Sequence, residues 1–254
     1  MTLPRTALRL VKRSAEKVGI AVNFYPPPGS FERQLRDLLA QMEINLVLDI
    51  GAFVGNYAKE LRDVGYKGRI VSFEPVPASY DQLQARMQHD PLWSGQPFGL
   101  SDENREAQMN TFGSRGDFNS LLTLRKDSEE AYRLDPSLRS QTSIQLKRLD
   151  SVLPQLIEGI QSPRIFMKID TQGHDVSVVK GAAGVLDKIL GLQSELPAVQ
   201  IYDGMTSMSN VLEYYSGCGF VPIGFYPVNT LRGTQISPEF DVLFNRYEGN
   251  LHIQ

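Results

Sequence analysis

The stretch Leu46-Val-Leu-Asp49-Ile-Gly51-Ala52-Phe53-Val54-Gly55-Asn56-Tyr57 constrains the fold more than any other part of this chain. An apolar run ends in an acid, turns at Gly51 and reaches a second glycine, Gly55, where a helical pattern begins. Such a segment reads as a buried strand feeding a helix through a turn where backbone can approach a ligand closely. The spacing is Asp-x-Gly-x-x-x-Gly. It departs from the Gly-x-Gly-x-x-Gly turn that sets a pyrophosphate on a helix N-terminus, because Phe53 stands where that turn needs its second glycine. About 20 residues further on, Ile70-Val-Ser-Phe-Glu74-Pro75 is again an apolar strand ending in an acid, here stopped by proline. A carboxylate in that place can accept both hydroxyls of a ribose. Each motif alone is common, but the tandem points to a nucleoside-bearing cofactor held around Asp49, Gly51, Ala52, Gly55, Asn56, Tyr57, Glu74 and Pro75.

The rest of the chain supports an α/β reading. Apolar runs suited to buried strands recur at 46–50, 69–73, 98–100, 165–169, 189–192, 220–225 and 241–244, with helical patterns at about 55–64, 78–88, 175–181 and 206–216. This alternation predicts a doubly wound, mostly parallel seven-stranded sheet covered on both faces. The connection from Pro227 to Glu239 is too short for a crossover helix, so the last two strands should form an antiparallel hairpin. Between Ser101 and Ser143 the pattern gives way to polar, Gly-containing sequence, the composition of an inserted lid or substrate wall.

Pro26-Pro27-Pro28-Gly29 separates a basic N-terminal segment, 1–29, from a body spanning 30–254, with Ser30 as an N-cap for a helix through Phe31, Leu35, Leu38 and Leu39. Met1 to Val18 carries five basic residues against Glu16 and has apolar residues at helical spacing. A helix there would pack on its own body, join two copies into a homodimer, or lie on a membrane surface. With a net charge of −3 the chain has no global electrostatic reason to bind nucleic acid. Cys218 is the only cysteine, which excludes an internal disulfide and a Cys-based metal cluster, and the expectation is a cytoplasmic protein.

Taken together, several of these segments resemble the FkbM family of methyltransferases, within the class I, Rossmann-like superfamily. The resemblance covers approximately 45–246 and rests on Asp49 to Gly55, Phe73-Glu74-Pro75, Leu100-Ser101-Asp102, Leu149-Asp150-Ser-Val-Leu153, and above all Met167-Lys168-Ile169-Asp170-Thr171-Gln172-Gly173-His174-Asp175. Lys180-Gly181-Ala182, Glu195 and Tyr202-Asp203-Gly204 add to it. It implies methyl transfer from S-adenosylmethionine to an oxygen, often a hydroxyl of a sugar, secondary metabolite or lipid-linked acceptor. It also implies that Asp49 and Gly51 flank the methionine part, Glu74 holds the ribose, and Ser101 and Asp102 border the adenine. Many members of the family have Glu where this chain has Gln172, so a carboxylate role does not carry over.

Methylating an alcohol requires alignment of the hydroxyl with the methyl donor and removal of its proton. Asp170, at the carboxyl edge of the fourth parallel strand, and His174, four residues on, are candidates for that role. His174 suits a base because imidazole titrates near neutrality, with Asp170 orienting it or contacting the cofactor's amine. Glu195 is a further acid expected at this edge, either catalytic or ion-paired with Lys168, which shares the strand face of Asp170. Asp170, Glu195 and Asp203 are the acids that Mg²⁺ would use, a weaker reading than a metal-free site. Rival readings are an adenosylmethionine-binding scaffold without turnover, hinted at by Gln172, and a nicotinamide-dependent oxidoreductase. The latter is opposed by the glycine spacing and by the lack of a Tyr-x-x-x-Lys pair.

Overall fold

The computed structural model describes residues 25–113, 116–231 and 233–247, together with Ser14 and residues 17–19. The expected basic N-terminal helix, and any dimer or membrane contact made through it, lies almost wholly outside the described residues.

Seven strands form the main sheet: β1 (Leu46–Ile50), β2 (Arg69–Phe73), β3 (Trp93–Gln96), β7 (Ile165–Ile169), β8 (Ile189–Pro197), β9 (Phe220–Pro227) and β10 (Glu239–Arg246). Their order across the sheet is β3-β2-β1-β7-β8-β10-β9. The first five pair in parallel, and β10 runs antiparallel to both β8 and β9, which is the expected hairpin. The polypeptide thus starts at the middle of the sheet, winds to one edge, returns and fills the other. Every residue of β1 and β7 is buried, as central strands covered on both faces must be.

Helices α1 (Phe31–Gln41), α2 (Asn56–Asp63) and α3 (Pro77–Met87) cover one face, where Leu38, Leu61 and Leu83 pack with Val47, Ile70 and Phe166. After α4 (Lys126–Tyr132), which lies in the insertion, α5 (Leu149–Leu156), α6 (Asp175–Gly181) and α7 (Met208–Gly217) cover the other face. There Leu153, Val178 and Tyr215 pack with Leu48, Met167 and Leu192. The N-cap of α1 is Ser30, whose hydroxyl accepts the Arg33 backbone N–H at 3.2 Å. Gly55 enters α2 at φ +84, and a Cβ there would stand 2.8 Å from Leu83 of α3, so the second glycine serves helix packing.

Two expectations need correction. The third strand of the main sheet is Trp93–Gln96, whereas Gly99–Leu100 forms β4 of a separate three-stranded sheet. Trp93 earns its place by pairing with Ile70 and by packing one large ring, in a segment with no apolar run to betray a strand. The stretch from Ser101 to Ser143 is not irregular either. It contains β5 (Arg105–Phe112) and the start of β6 (Arg139–Lys147), an antiparallel pair joined through α4. Only scattered positions such as Ala107, Ile144 and Leu146 are buried, so the strands read as polar sequence.

Candidate active site

The turn after β1 is built from alternating left-handed residues: Gly51 at φ +78, Phe53 at φ +48 and Gly55 at φ +84. Gly51 and Ala52 both donate their backbone N–H to the Phe73 carbonyl at 3.1 Å, which fastens the turn to the end of β2. On its other side a Cβ at Gly51 would lie 1.9 Å from the Asp170 carbonyl oxygen. The first glycine is therefore required by backbone packing between the ends of β1 and β7.

Phe53 takes the left-handed conformation that glycine would have adopted, and its N–H turns towards Glu74 Oε2 at 2.8 Å. The Val76 N–H donates to Glu74 Oε1 at 2.9 Å. These bonds lock the carboxyl group in place, while each oxygen keeps a further lone pair for a ligand. Burial pushes the Glu74 pKa up to about 7, outweighing the two backbone donors that pull it down.

A buried polar row crosses the sheet beneath the turn. Trp93 Nε1 donates to Ser72 Oγ at 3.0 Å, and Ser72 Oγ donates to Asp49 Oδ2 at 3.0 Å. Asp49 Oδ1 lies 3.5 Å from Lys168 Nζ, which also sits 3.4 Å from Asp170 Oδ2 and donates to the Gly51 carbonyl at 3.1 Å. Burial raises the Asp49 pKa despite Lys168 and Ser72. Burial opposes the charge of Lys168, but Asp170, Asp49 and Asp241 together hold its pKa above the ordinary lysine value. Asp49 is fully buried and meets the ligand side of the fold through Lys168.

Beyond β7 the chain turns through Gln172 at φ +51 and Gly173 at φ +93 before α6 begins at Asp175. This bend places the Gln172 amide between two carboxylates: Nε2 donates to Asp170 Oδ1 at 3.0 Å and to Glu195 Oε2 at 3.1 Å. Tyr202 donates its hydroxyl to Gln172 Oε1 at 2.8 Å. The amide satisfies both acids, which a carboxylate at this position could not do. Glu195 thus binds Gln172 rather than Lys168, because Lys168 is already taken by Asp49 and Asp170. Burial, followed by the charges of Asp170, Glu239 and Asp241, raises the Glu195 pKa well above its ordinary value.

His174 stands at the start of α6, with Nε2 at 2.9 Å from Ser101 Oγ; Ser101 in turn donates to Asp102 Oδ1 at 3.0 Å. Since the Ser101 proton goes to the carboxylate, His174 Nε2 must be the donor, which leaves the ring lone pair on Nδ1. Burial lowers the His174 pKa, so the imidazole is neutral at pH 7. Ser101 and Asp102, rather than Asp170, orient this ring, which corrects the expected pairing.

Gly51, Ala52, Asn56, Tyr57, Glu74, Pro75, Asp170, His174 and Glu195 all line one cavity of about 390 Å³. That volume lies in the range of small-molecule sites. Asp49 and Ser101 are fully buried behind its wall, and Gly55 serves α2–α3 packing. The cavity floor also carries Gln193, Glu239 and Asp241, which the sequence reading did not single out. The available signal was an amide and acids at alternate positions, 193 and 195, then 239 and 241, which share one face of each strand. Among the described residues no group of three or more His, Cys, Asp or Glu side chains is arranged to hold a metal ion. None of their helices is long and apolar enough to cross a membrane.

The family model of the methyltransferase FkbM domain matches residues 49–222, from the acid of the first turn to the start of β9. The chain belongs to this family. It is an S-adenosylmethionine-dependent methyltransferase of the class I, Rossmann-like fold. No curated protein sequence matches it. Solved structures resemble it at low identity. They include fibrillarin from Aeropyrum pernix with bound S-adenosylmethionine, at 14% identity over 84% of this chain and 74% of that one, with a TM-score of 0.44. A ribosomal RNA methylase from Streptococcus thermophilus gives 14% identity over 85% and 95%, with a TM-score of 0.43. Magnesium protoporphyrin IX methyltransferase from Synechocystis gives 9% over 85% and 79%, with a TM-score of 0.44.

The residues present fit this cofactor. Glu74 offers free lone pairs beside its two backbone bonds, and Pro75, Leu100 and Leu146 supply an apolar wall for an aromatic base in the same cavity. Asp170 sets a carboxylate at the far side of the Gly51 turn.

Proposed function

We propose that this methyltransferase acts on a hydroxyl group of a small polar acceptor, such as a sugar-containing metabolite, with His174 as the general base. The observation that carries this reading is the place of His174: it lines the cavity that Glu74 and Gly51 also line, with Nε2 at 2.9 Å from Ser101 Oγ, and an Nε2–H donated there leaves the lone pair on Nδ1. When bound, the cofactor supplies an electrophilic methyl group on sulfonium sulfur.

The protein's own residues supply the rest. Ionised Glu74 accepts the ribose hydroxyls and fixes the nucleoside. Asp170, held by Lys168 and Gln172, presents a carboxylate whose position does not drift. The acceptor hydroxyl lies against His174, and Nδ1 takes its proton as the oxygen forms its new bond. Asp102 accepts from Ser101 and favours the imidazolium that results. Glu195, whose pKa burial and the neighbouring acids raise, stands on the same cavity wall, held by Gln172, within reach of an acceptor's hydrogen-bonding groups. The lone Cys218 and the absence of any strongly basic balance fit a cytoplasmic enzyme of small-molecule metabolism.

The test is transfer of a labelled methyl group from S-adenosylmethionine to a panel of glycosides and other small alcohols. His174→Ala is expected to lower kcat by roughly 10²–10⁴-fold with S-adenosylhomocysteine binding retained. In the intact enzyme the rate should fall on the acid side at a pKa below the usual histidine value of 6.5. Transfer only to nitrogen or to nucleic acid, or a His174→Ala variant at full rate, would overturn the proposal.

A further inference from the structure

The cavity floor between β8 and β10 carries chemistry that the transfer step leaves unused. Gln193 and Glu195 share one face of β8, and Asp241 pairs directly with Glu195 across the antiparallel ladder, with Glu239 two residues before it. All four line the cavity. Their partners are few: Gln193 Nε2 donates to Asp241 Oδ1 at 2.8 Å, and Glu195 Oε2 accepts from Gln172. Glu239 is only 6% exposed, yet its Oε1 has no hydrogen-bond partner, and neither does Oε1 of Gln193, which is 3% exposed.

Buried acceptors without donors cost free energy, and like charges placed opposite one another on neighbouring strands repel. Burial and the surrounding acids accordingly push the Glu239 pKa up to about 8 and raise those of Glu195 and Asp241. Lys168 is the only lysine or arginine among the described residues that line the cavity, and it is occupied by Asp49, Asp170 and the Gly51 carbonyl.

An occupant that suits this floor brings both N–H or O–H donors and positive charge. Hydroxyls bring donors alone. A metal ion needs a convergent set of ligands that the described residues do not form. An ammonium group brings both, with three donors on one charged atom. Between the backbones of β1, with its Gly51 turn, and β10 stand β7 and β8, a span of about 14 Å at ~4.8 Å per strand, and Asp170 at the end of β7 is the nearer carboxylate for a cofactor amine held at that turn.

We propose that Gln193, Glu195, Glu239 and Asp241 form an acceptor subsite for a protonated amine, so that the substrate is an amine-bearing alcohol such as an amino sugar, methylated on oxygen. This rests on the small-alcohol reading given above. The amine seats on the acidic floor while the hydroxyl reaches His174, which lines the same cavity.

The experiment is calorimetry on the full chain saturated with S-adenosylhomocysteine, titrated with methyl glucosaminide and, separately, methyl glucoside, which differ by amine against hydroxyl. Binding of the glucosaminide at least about tenfold tighter than the glucoside is expected, a factor that one desolvated charge pair readily supplies. That preference should be lost in Glu239→Gln and weakened in Asp241→Asn. Equal binding of the two sugars, or binding of neither, overturns the proposal. Loss of S-adenosylhomocysteine binding in a Glu239→Gln variant with an unchanged circular dichroism spectrum also overturns it, by assigning the floor to the cofactor's amine. The first titration, with S-adenosylhomocysteine alone, fails only if the methyltransferase reading itself fails.

Discussion

Lowering the pH from 8 to 6 should weaken S-adenosylhomocysteine binding by about tenfold through Glu74 alone. With its pKa raised to about 7 by burial, the carboxyl group is roughly nine-tenths ionised at pH 8 and roughly one-tenth ionised at pH 6. Only the ionised form offers acceptors to both ribose hydroxyls while keeping its bonds from Phe53 and Val76, so affinity tracks the ionised fraction. In Glu74→Gln the amide NH₂ must face one of those backbone donors, and one hydrogen bond to a charged group is lost on the ligand side as well. At about 1.5–3 kcal/mol for such a bond, the variant should bind 10- to 150-fold more weakly, roughly, at pH 8. Its affinity should also lose the Glu74 part of the pH dependence, and that difference isolates Glu74 from His174 and the floor acids. The assay is calorimetric titration of both proteins at several pH values. A wild-type affinity flat between pH 6 and 8, or a variant with the full wild-type slope, would refute the assignment of Glu74 to the ribose.

The same raised pKa carries a stability consequence. Glu74 moves from 4.5 to about 7 on folding, so its contribution is fully present below pH 4.5 and is lost as the pH rises through 7. The loss is on the order of 3 kcal/mol for the ligand-free protein, read from urea unfolding across that range, and bound cofactor should recover part of it.

Other substitutions probe the scaffold. Gly51→Ala sets a Cβ against the Asp170 carbonyl at a φ of +78, and we expect more than about 3 kcal/mol of destabilisation by urea unfolding; a loss below about 1 kcal/mol would show that β1 and β7 are not in close contact there. Lys168→Met strips the fully buried Asp49 of its cation and should cost about 3–5 kcal/mol at pH 7, less in acid as Asp49 takes up a proton. Gln172→Glu replaces the amide that bridges Asp170 and Glu195 with a third carboxyl group. Its folded pKa should be raised, so the variant should approach wild-type stability near pH 5 and lose about 2–4 kcal/mol by pH 8; equal stability at both pH values would remove the bridging role.

The legible parts of the sequence were those where one chemical requirement acts locally. The continuous apolar runs of β1, β2 and β7 had to be central strands, and the run of α6 from Asp175 to Gly181 agrees residue for residue. Gly51 and Glu74 were legible because a turn and a strand end each announce themselves. Trp93–Gln96 was not, since its place in the sheet depends on pairing with Ile70 across 23 residues of sequence rather than on its own pattern. The β5–β6 pair escaped for a related reason: one face is solvated and the other rests on a small core, so propensity and hydropathy point towards a loop while the ladder settles the matter.

The division of labour within the site was the least accessible. Lys168, Glu195 and Asp170 looked like a simple set of charge pairs, but the register of β1, β7, β8 and β10 decides who meets whom. That register gives Lys168 to Asp49 and Asp170 and leaves Glu195 facing Asp241, so that Gln172 is needed where a carboxylate would add a third like charge. The amide of Gln172 is thus matched to the acids around it. With Asp170 beside the three floor acids, the chain keeps an amide where it must hydrogen-bond two carboxyl groups, Asp170 and Glu195, at once.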